Sequence, residues 1–288
     1  MNICILGGTG LIGKAIQAQL GSKYSINTYG RTAFATLDKL QSIIDNQDVI
    51  IQLSGANIAQ RWSSRVKQDL WDSRIGTTQL LAQAVAKLEQ KPQRVIVASA
   101  IGYYPQTDCQ HPLDETHQTP GTGFLAELAH EWEQQAQQIL SAEETVITRF
   151  GVVLDKQQGA LGKMLPAFKL GLGGPVAGGK QCFSWIHIQD LVNAIDFILQ
   201  HPEIKGAINV TAPSPLSQKE FAQTLADTLN RPAFMPLPEW QLKLMFGEGA
   251  QVLTHSSCII PSRLKQLGFQ FQYPNAKIAL KALCTSKR

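Results

Sequence analysis

The sequence predicts an α/β protein: a doubly wound parallel sheet followed by a smaller C-terminal lobe. Three observations predict it. Short apolar runs rich in β-branched residues fall at residues 2–6, 24–29, 48–53, 93–98 and 145–150. Longer stretches with helical spacing alternate with them, at 11–20, 36–45, 64–88 and 121–140. Runs such as Val95-Ile96-Val97-Ala98 are continuously apolar, as strands covered on both faces must be.

The elements follow in order. The first run, Ile3 to Leu6, enters a glycine cluster at Gly7, Gly8, Gly10 and Gly13 and leaves into the helix at 11–20. Strand and helix then alternate to about residue 153. Residues 155–183 read as glycine-rich and loop-like, with five glycines in 171–180, which suits a mobile lid or a plain connector. Residues 184–200 read as a turn and a helix, and Ile208-Asn209-Val210 as a brief strand. Ser217 is a good N-cap for a helix over 218–229, with Glu220 completing a capping box. This divides the chain into a nucleotide-type domain over 1–210, with 155–183 lent to a substrate lobe, and a small lobe over 211–288.

Bulk composition narrows the function classes. The 288 residues are 44% hydrophobic and 17% charged, a balance that favours a sizeable core over disorder. The net charge of +4 is scattered, with no basic stripe, so nucleic-acid binding has no support. The five cysteines, Cys4, Cys109, Cys182, Cys258 and Cys284, lie far apart with no C-x-x-C, which argues against a disulfide framework or a zinc site. No apolar run is long enough to span a bilayer, and the N-terminus has no basic lead of the secretory type. A cytoplasmic protein without a membrane or metal partner is expected.

The chemistry starts at the glycine loop. Strand, G-G-T-G-L-I-G, helix is the context in which glycines hold a dinucleotide. Gly7 permits the tight turn, Gly10 lets a phosphate approach the backbone, and Gly13 lets the helix pack close to the strand. The pyrophosphate would meet free amides at Thr9 to Ile12, including Leu11, and the positive end of the helix dipole. At the end of the second strand an acid would select a ribose 2′-hydroxyl. Here the sequence is Tyr29-Gly30-Arg31-Thr32, and Arg31 is suited to clamp a 2′-phosphate. NADP(H) is therefore expected over NAD(H). The third strand ends Gln52-Leu53-Ser54-Gly55, where small residues would let backbone run along the cofactor. Arg149, ending the fifth strand, is a further candidate for cofactor or substrate.

Together these residues resemble the extended short-chain dehydrogenase/reductases, and within them an atypical branch usually called the epimerase family. The marks are GGTGLIG at 7–13, LSGANI at 53–58, RW at 61–62, DSRIGTTQLL at 72–81, ASAIGYY at 98–104, FLAELAHEWE at 124–133, TRFGVVL at 148–154, LGLGGPVAGGKQCFSWIHIQDL at 170–191 and PLP at 236–238. The tail from about residue 238 resembles that family's small C-terminal domain of unassigned role. The resemblance implies a Rossmann-like fold and NADP(H) binding, but no particular substrate.

The superfamily's usual chemistry uses a serine, a tyrosine and a lysine. Ser99 matches the serine, placed to polarise a substrate oxygen. Leu125 stands where the tyrosine belongs and Ala129 where the lysine belongs. Tyr103 and Tyr104 follow Ser99 in the bordering loop, and the proton would come from Tyr103, Tyr104, a substrate group or water. His130, Glu133, Trp185 and His187 are further residues that could substitute. Arg74 replaces the usual asparagine, as in the atypical branch; it would reach a phosphate, the nicotinamide ribose or a substrate carboxylate. Asp69 would orient Arg74 or accept from a ribose hydroxyl. Two functions follow from this pattern: an NADP(H)-dependent oxidoreductase or nucleotide-sugar-epimerase-like enzyme, or a non-catalytic NADP(H)-responsive sensor or scaffold acting through a protein partner. A homodimer through the helices at 64–88 and 121–140 is expected from the resemblance.

Overall fold

The computed structural model describes residues 1–140 and 144–285. Its strands and helices run β1 (Asn2–Leu6), α1 (Leu11–Leu20), β2 (Ser25–Tyr29), α2 (Leu37–Ile44), β3 (Val49–Gln52), α3 (Ser64–Trp71), α4 (Thr77–Ala86), β4 (Arg94–Ala100), α5 (Phe124–Ala136) and β5 (Thr145–Phe150). The second half holds β6 (Val152–Leu154), α6 (Gly159–Lys169), β7 (Cys182–Phe183), β8 (Trp185–His187), α7 (Ile188–Gln200), β9 (Gly206–Val210), β10 (Leu216–Ser217), α8 (Gln218–Leu229), α9 (Glu239–Phe246), α10 (Gln251–Thr254), α11 (Ser262–Gln266) and α12 (Ala276–Thr285).

Six strands form one parallel sheet in the order β2-β1-β3-β4-β5-β9. The order reverses between β1 and β3, which makes their C-terminal edge the switch point where such sheets bind ligands. Central strands β1 and β3 are buried almost throughout, which is why they read as unbroken apolar runs. Helices α1 and α7 pack together, while α2, α4 and α5 lie side by side.

Two cores result. The larger surrounds the sheet and also takes in Leu264 and Phe269 from the C-terminal region. The smaller joins α6, α8 and α12 through Leu161, Leu165, Phe168, Phe221, Leu225 and Leu280. Ser217 caps α8, with the capping box to Glu220 in place. The tail also reaches back to the first domain: Arg61 donates to the Leu244 carbonyl at 2.6 Å, and the Trp62 amide to Phe246 at 3.3 Å. Among the described residues no helix is long and apolar enough to cross a membrane.

Two expected elements differ. The stretch 64–88 is not one helix: a π-helical turn, Asp72–Gly76, separates α3 from α4. Ser73 Oγ donates to the Leu70 carbonyl, and Thr77 Oγ1 lies 2.8 Å from the Ser73 carbonyl. Side chains that bond back to the helix backbone compete with its ladder and widen the turn. The second difference is α6, which lies inside a stretch read as loop. Its apolar face, Leu161, Leu165 and Phe168, has helical spacing, and Asp155 accepts from the amides of Gln157 and Gln158 just ahead of it. The neighbouring glycines had masked that period.

Below the second lobe, His187 caps α7, its Nδ1 accepting from the Gln189 amide at 3.0 Å, and its ring stacks on Tyr273 at 3.7 Å. Buried Asp190 accepts from the amides of Gln272 and Tyr273, tying the same segment down. Burial pushes the His187 pKa down to about 4, against the pull of Asp155. The unfolded chain therefore binds a proton that the native chain refuses. The stability from neutral His187 is present above pH 6.5 and is lost as pH falls from 6.5 towards 4, by roughly 3 kcal/mol. His187→Asn keeps a capping side chain without the titration. Its urea stability should fall less steeply with acid than that of the wild type; equal slopes would show that His187 does not carry this loss.

Candidate functional site

The glycine loop is built as its spacing requires. The amides of Gly7 and Gly8 donate to the Tyr29 carbonyl at 2.8 and 3.0 Å, which pins the loop to β2. Gly7 has φ +87°, and a Cβ there would lie 2.7 Å from the backbone of Leu53 and Ser54. At Gly13 a Cβ would lie 2.5 Å from the Cα of Gly8, so α1 packs directly on the loop. Gly10 is different: a Cβ there would meet nothing closer than the Gly7 carbonyl at 3.4 Å. Among the described residues, none demands glycine at that position.

Helix α1 begins at Leu11 with no side-chain cap on Gly10 and no acid in its first turn. Its first amides and its dipole therefore have neither a capping side chain nor an acid of the helix's own first turn to satisfy them. Thr9 is exposed and lies against Gly30. Beside it, Arg31 and Thr32 are exposed, and Arg31 has no ion pair among the described residues. Across the loop, Leu53 is half-buried and the Ser54 hydroxyl is buried without a hydrogen-bond partner. An anion-seeking helix end, an open arginine and an orphaned hydroxyl together fit a phosphorylated dinucleotide.

Arg74 sits in the π turn behind this edge. Its guanidinium donates to the carbonyls of Leu70 at 3.2 Å and Ala56 at 3.1 Å, and lies 5.4 Å from the Trp132 ring. A Cβ on Gly55 would touch it at 3.0 Å, so Gly55 makes room for Arg74. Burial lowers its pKa to about 10, and among the described residues no carboxylate pairs with it. Asp69 is exposed, and none of the Arg74 hydrogen bonds reaches it. Of the two roles expected for Asp69, orienting Arg74 is not the one seen: Asp69 lies on α3 and faces solvent, while Arg74 lies in the following π turn and bonds elsewhere.

At the far end of the sheet the candidate catalytic residues are already engaged. Ser99 donates to Glu133 Oε1 at 2.6 Å. Glu133 takes a bidentate pair from Arg149, at 2.9 and 2.7 Å. Arg149 also donates to the Tyr104 hydroxyl at 2.8 Å, and Tyr104 donates to Asn209 at 2.8 Å. The Tyr103 ring stacks 3.6 Å from the guanidinium, and its hydroxyl donates to the Gln118 carbonyl. Burial would lower the Arg149 pKa, but Glu133 outweighs it and the shift is upward. Burial raises the Tyr104 pKa to about 12 and raises that of Tyr103 despite the nearby Arg149.

Arg149 is 5% exposed, and its hydrogen bonds go to Glu133 and Tyr104, so it braces the interior where β5 meets α5. Ala129, at the lysine position, packs against Tyr103 and Tyr104. An open cavity of about 430 Å³ borders this network, lined by Tyr103, Glu115, His130, Glu133, Arg149 and Arg263 among others. None of its walls comes from the glycine loop. Sequence reading weighed Glu133 as a substitute acid but missed its pairing, since a helix and a strand bring the two residues together.

Residues 3–211 match the NAD dependent epimerase/dehydratase family. The chain belongs to that family. Residues 237–283 match a domain of unknown function, DUF1731. The epimerase family protein SDR39U1 of Mus musculus is 35% identical over 98% of this chain and 99% of its own length. The chloroplastic SDR39U1 homologue of Arabidopsis thaliana is 33% identical over 98% of this chain and 86% of its own. The crystal structure of human epimerase family protein SDR39U1 with NADPH superposes with a TM-score of 0.89 at 33% identity, covering 98% and 99% of the two chains.

Proposed function

We propose that the chain binds NADP(H), with the cofactor diphosphate on the Gly7–Gly13 loop and the 2′-phosphate against Arg31. The uncapped, acid-free start of α1 over Gly10 carries this reading. The NADPH in the human SDR39U1 crystal supports it. Thr9, Leu11, Ile12, Thr32, Leu53, Ser54 and Gly55 would line the same cleft, and Arg74 would hold its far end.

NADPH, when bound, supplies a hydride, and this makes an oxidoreductase or epimerase-like activity on a carbonyl or alcohol the leading reading. No substrate is assigned. The chain's own part is to bind, orient and keep Ser99 rigid through Glu133 and Arg149. The proton that accompanies hydride transfer has no free source at the usual positions. Ser99, Tyr103 and Tyr104 donate within the protein, and Leu125 and Ala129 carry no proton to give. In the enzyme reading that proton comes from water or the substrate.

The same engaged hydroxyls favour a second reading, an NADP(H)-responsive sensor or scaffold. Phe234, Trp240 and Leu244 are exposed on the tail and suit a protein partner. One experiment separates the two. NADPH-loaded protein is mixed with a panel of aldehydes and ketones, and nicotinamide fluorescence is followed through one turnover. The enzyme reading predicts that at least one carbonyl quenches a stoichiometric amount of bound NADPH. The sensor reading predicts tight binding with no oxidation. Absence of binding overturns both.

A further inference from the structure

Three cysteines that the sequence keeps far apart meet in the fold. The sulfurs of Cys109, Cys182 and Cys258 all lie within 4.8 Å of one another. Spacing along the chain argued against a disulfide framework and a zinc site, but the fold brings together thiols from three separate segments. Cys109 comes from the exposed turn after Tyr104, Cys182 from β7, and Cys258 from the segment ahead of α11.

Each arm is fixed by its own hydrogen bonds. Asp108 accepts from the amides of Gln110 and His111, which shapes the turn around Cys109. The Cys182 amide donates to Ser256 Oγ at 2.9 Å, and Cys182 pairs with Ser217 across the β7–β10 ribbon. The Cys258 amide donates to Thr107 Oγ1 at 2.9 Å, and its carbonyl accepts from Leu113 at 2.8 Å. The three sulfurs are thus brought together by backbone that is hydrogen-bonded at each arm.

We propose that Cys109, Cys182 and Cys258 form a binding site for a single soft, thiophilic d¹⁰ cation, with Zn²⁺ as its probe. Three thiolates are a donor set such ions prefer. Sulfurs about 2.3 Å from a tetrahedral ion lie about 3.8 Å apart, so the cluster needs only a small contraction to close on one. A disulfide would need two sulfurs to close to about 2.05 Å and would leave the third unused. Cys182 and Cys258 are buried while Cys109 is exposed, which leaves an open side for entry and for a water as fourth ligand. The carboxylates of Asp108 and Glu220 act on these thiols and make the surroundings electronegative. On binding, each coordinating thiol releases its proton to solvent, and three thiolates around one divalent ion carry a net charge of −1. The ion would fasten the loop after Tyr104 to the second lobe. This inference rests on no part of the cofactor reading.

The test uses the full chain, reduced and stripped of metal. Titration with Co²⁺ should give a thiolate-to-cobalt charge-transfer band that saturates at one equivalent and is displaced by Zn²⁺. Cys109→Ser, at an exposed position, should keep the native circular dichroism, lose about a third of the band and bind Zn²⁺ at least tenfold more weakly. Cys182→Ser and Cys258→Ser should weaken it further. Cys284→Ser, in α12, should change nothing. A folded, reduced wild type with no charge-transfer band overturns the proposal, as does Co²⁺ binding that Cys109→Ser leaves intact. An air-formed disulfide within the cluster, with no metal uptake after reduction, overturns it in favour of a redox pair.

Discussion

Glu133→Ala should destabilise the protein by about 3–5 kcal/mol in urea denaturation, among the largest effects of any single substitution. The reason is what the change leaves behind. Arg149 would remain buried with a full charge and would lose both hydrogen bonds to its carboxylate, while Ser99 would lose its acceptor. Truncating one partner of a buried pair costs far more than the pair itself contributes. The double variant Glu133→Ala with Arg149→Met should therefore recover much of the loss, with a coupling of about 1–3 kcal/mol in the cycle with the two single variants. A cost below about 1 kcal/mol for Glu133→Ala would mean that water reaches Arg149 and that Ser99 is freer than its geometry indicates.

The second large effect separates folding from binding within the glycine loop. Gly7→Ala should cost about 3–5 kcal/mol, because φ +87° strains an L residue and the new Cβ meets the Leu53–Ser54 backbone at 2.7 Å. Gly10→Ala should cost about 1 kcal/mol or less. Its φ of −77° suits alanine, and its Cβ meets only a carbonyl at 3.4 Å. NADPH affinity should nonetheless fall on the order of 100-fold in Gly10→Ala, since the methyl would occupy the path by which a phosphate nears the α1 amides. Calorimetry and thermal unfolding on the same samples check both halves. An unchanged affinity in Gly10→Ala would place the diphosphate elsewhere.

What the sequence made legible was local or strongly periodic. The glycine loop, α1 and the Ser217–Glu220 capping box depend on a handful of neighbouring residues, so their chemistry can be read in order. The buried strands β1 and β3 declare themselves by unbroken apolar runs. The π turn was not legible, because it arises from competing hydroxyl bonds at Ser73 and Thr77 inside an otherwise helical pattern. Helix α6 was hidden because Gly159 and Gly162 resemble the loop glycines downstream. The pairing of Glu133 with Arg149 and the meeting of three cysteines depend on how the sheet and the tail fold over each other. No spacing rule along the chain reports such contacts. They add to the reading of Arg149 an internal role, as a brace on Glu133 and Tyr104.

The central claim is that the opening loop holds NADP(H). It is tested most directly by titrating wild type and Arg31→Ala with NADPH and NADH, following nicotinamide fluorescence and thermal shift together. The account predicts a strong preference of wild type for NADPH and a stabilisation of about 2.7 kcal/mol at 100 times the Kd. It predicts that Arg31→Ala removes most of the preference while leaving NADH binding in place. No response to either nucleotide, in protein that is otherwise folded, would contradict it and reduce GGTGLIG to a turn.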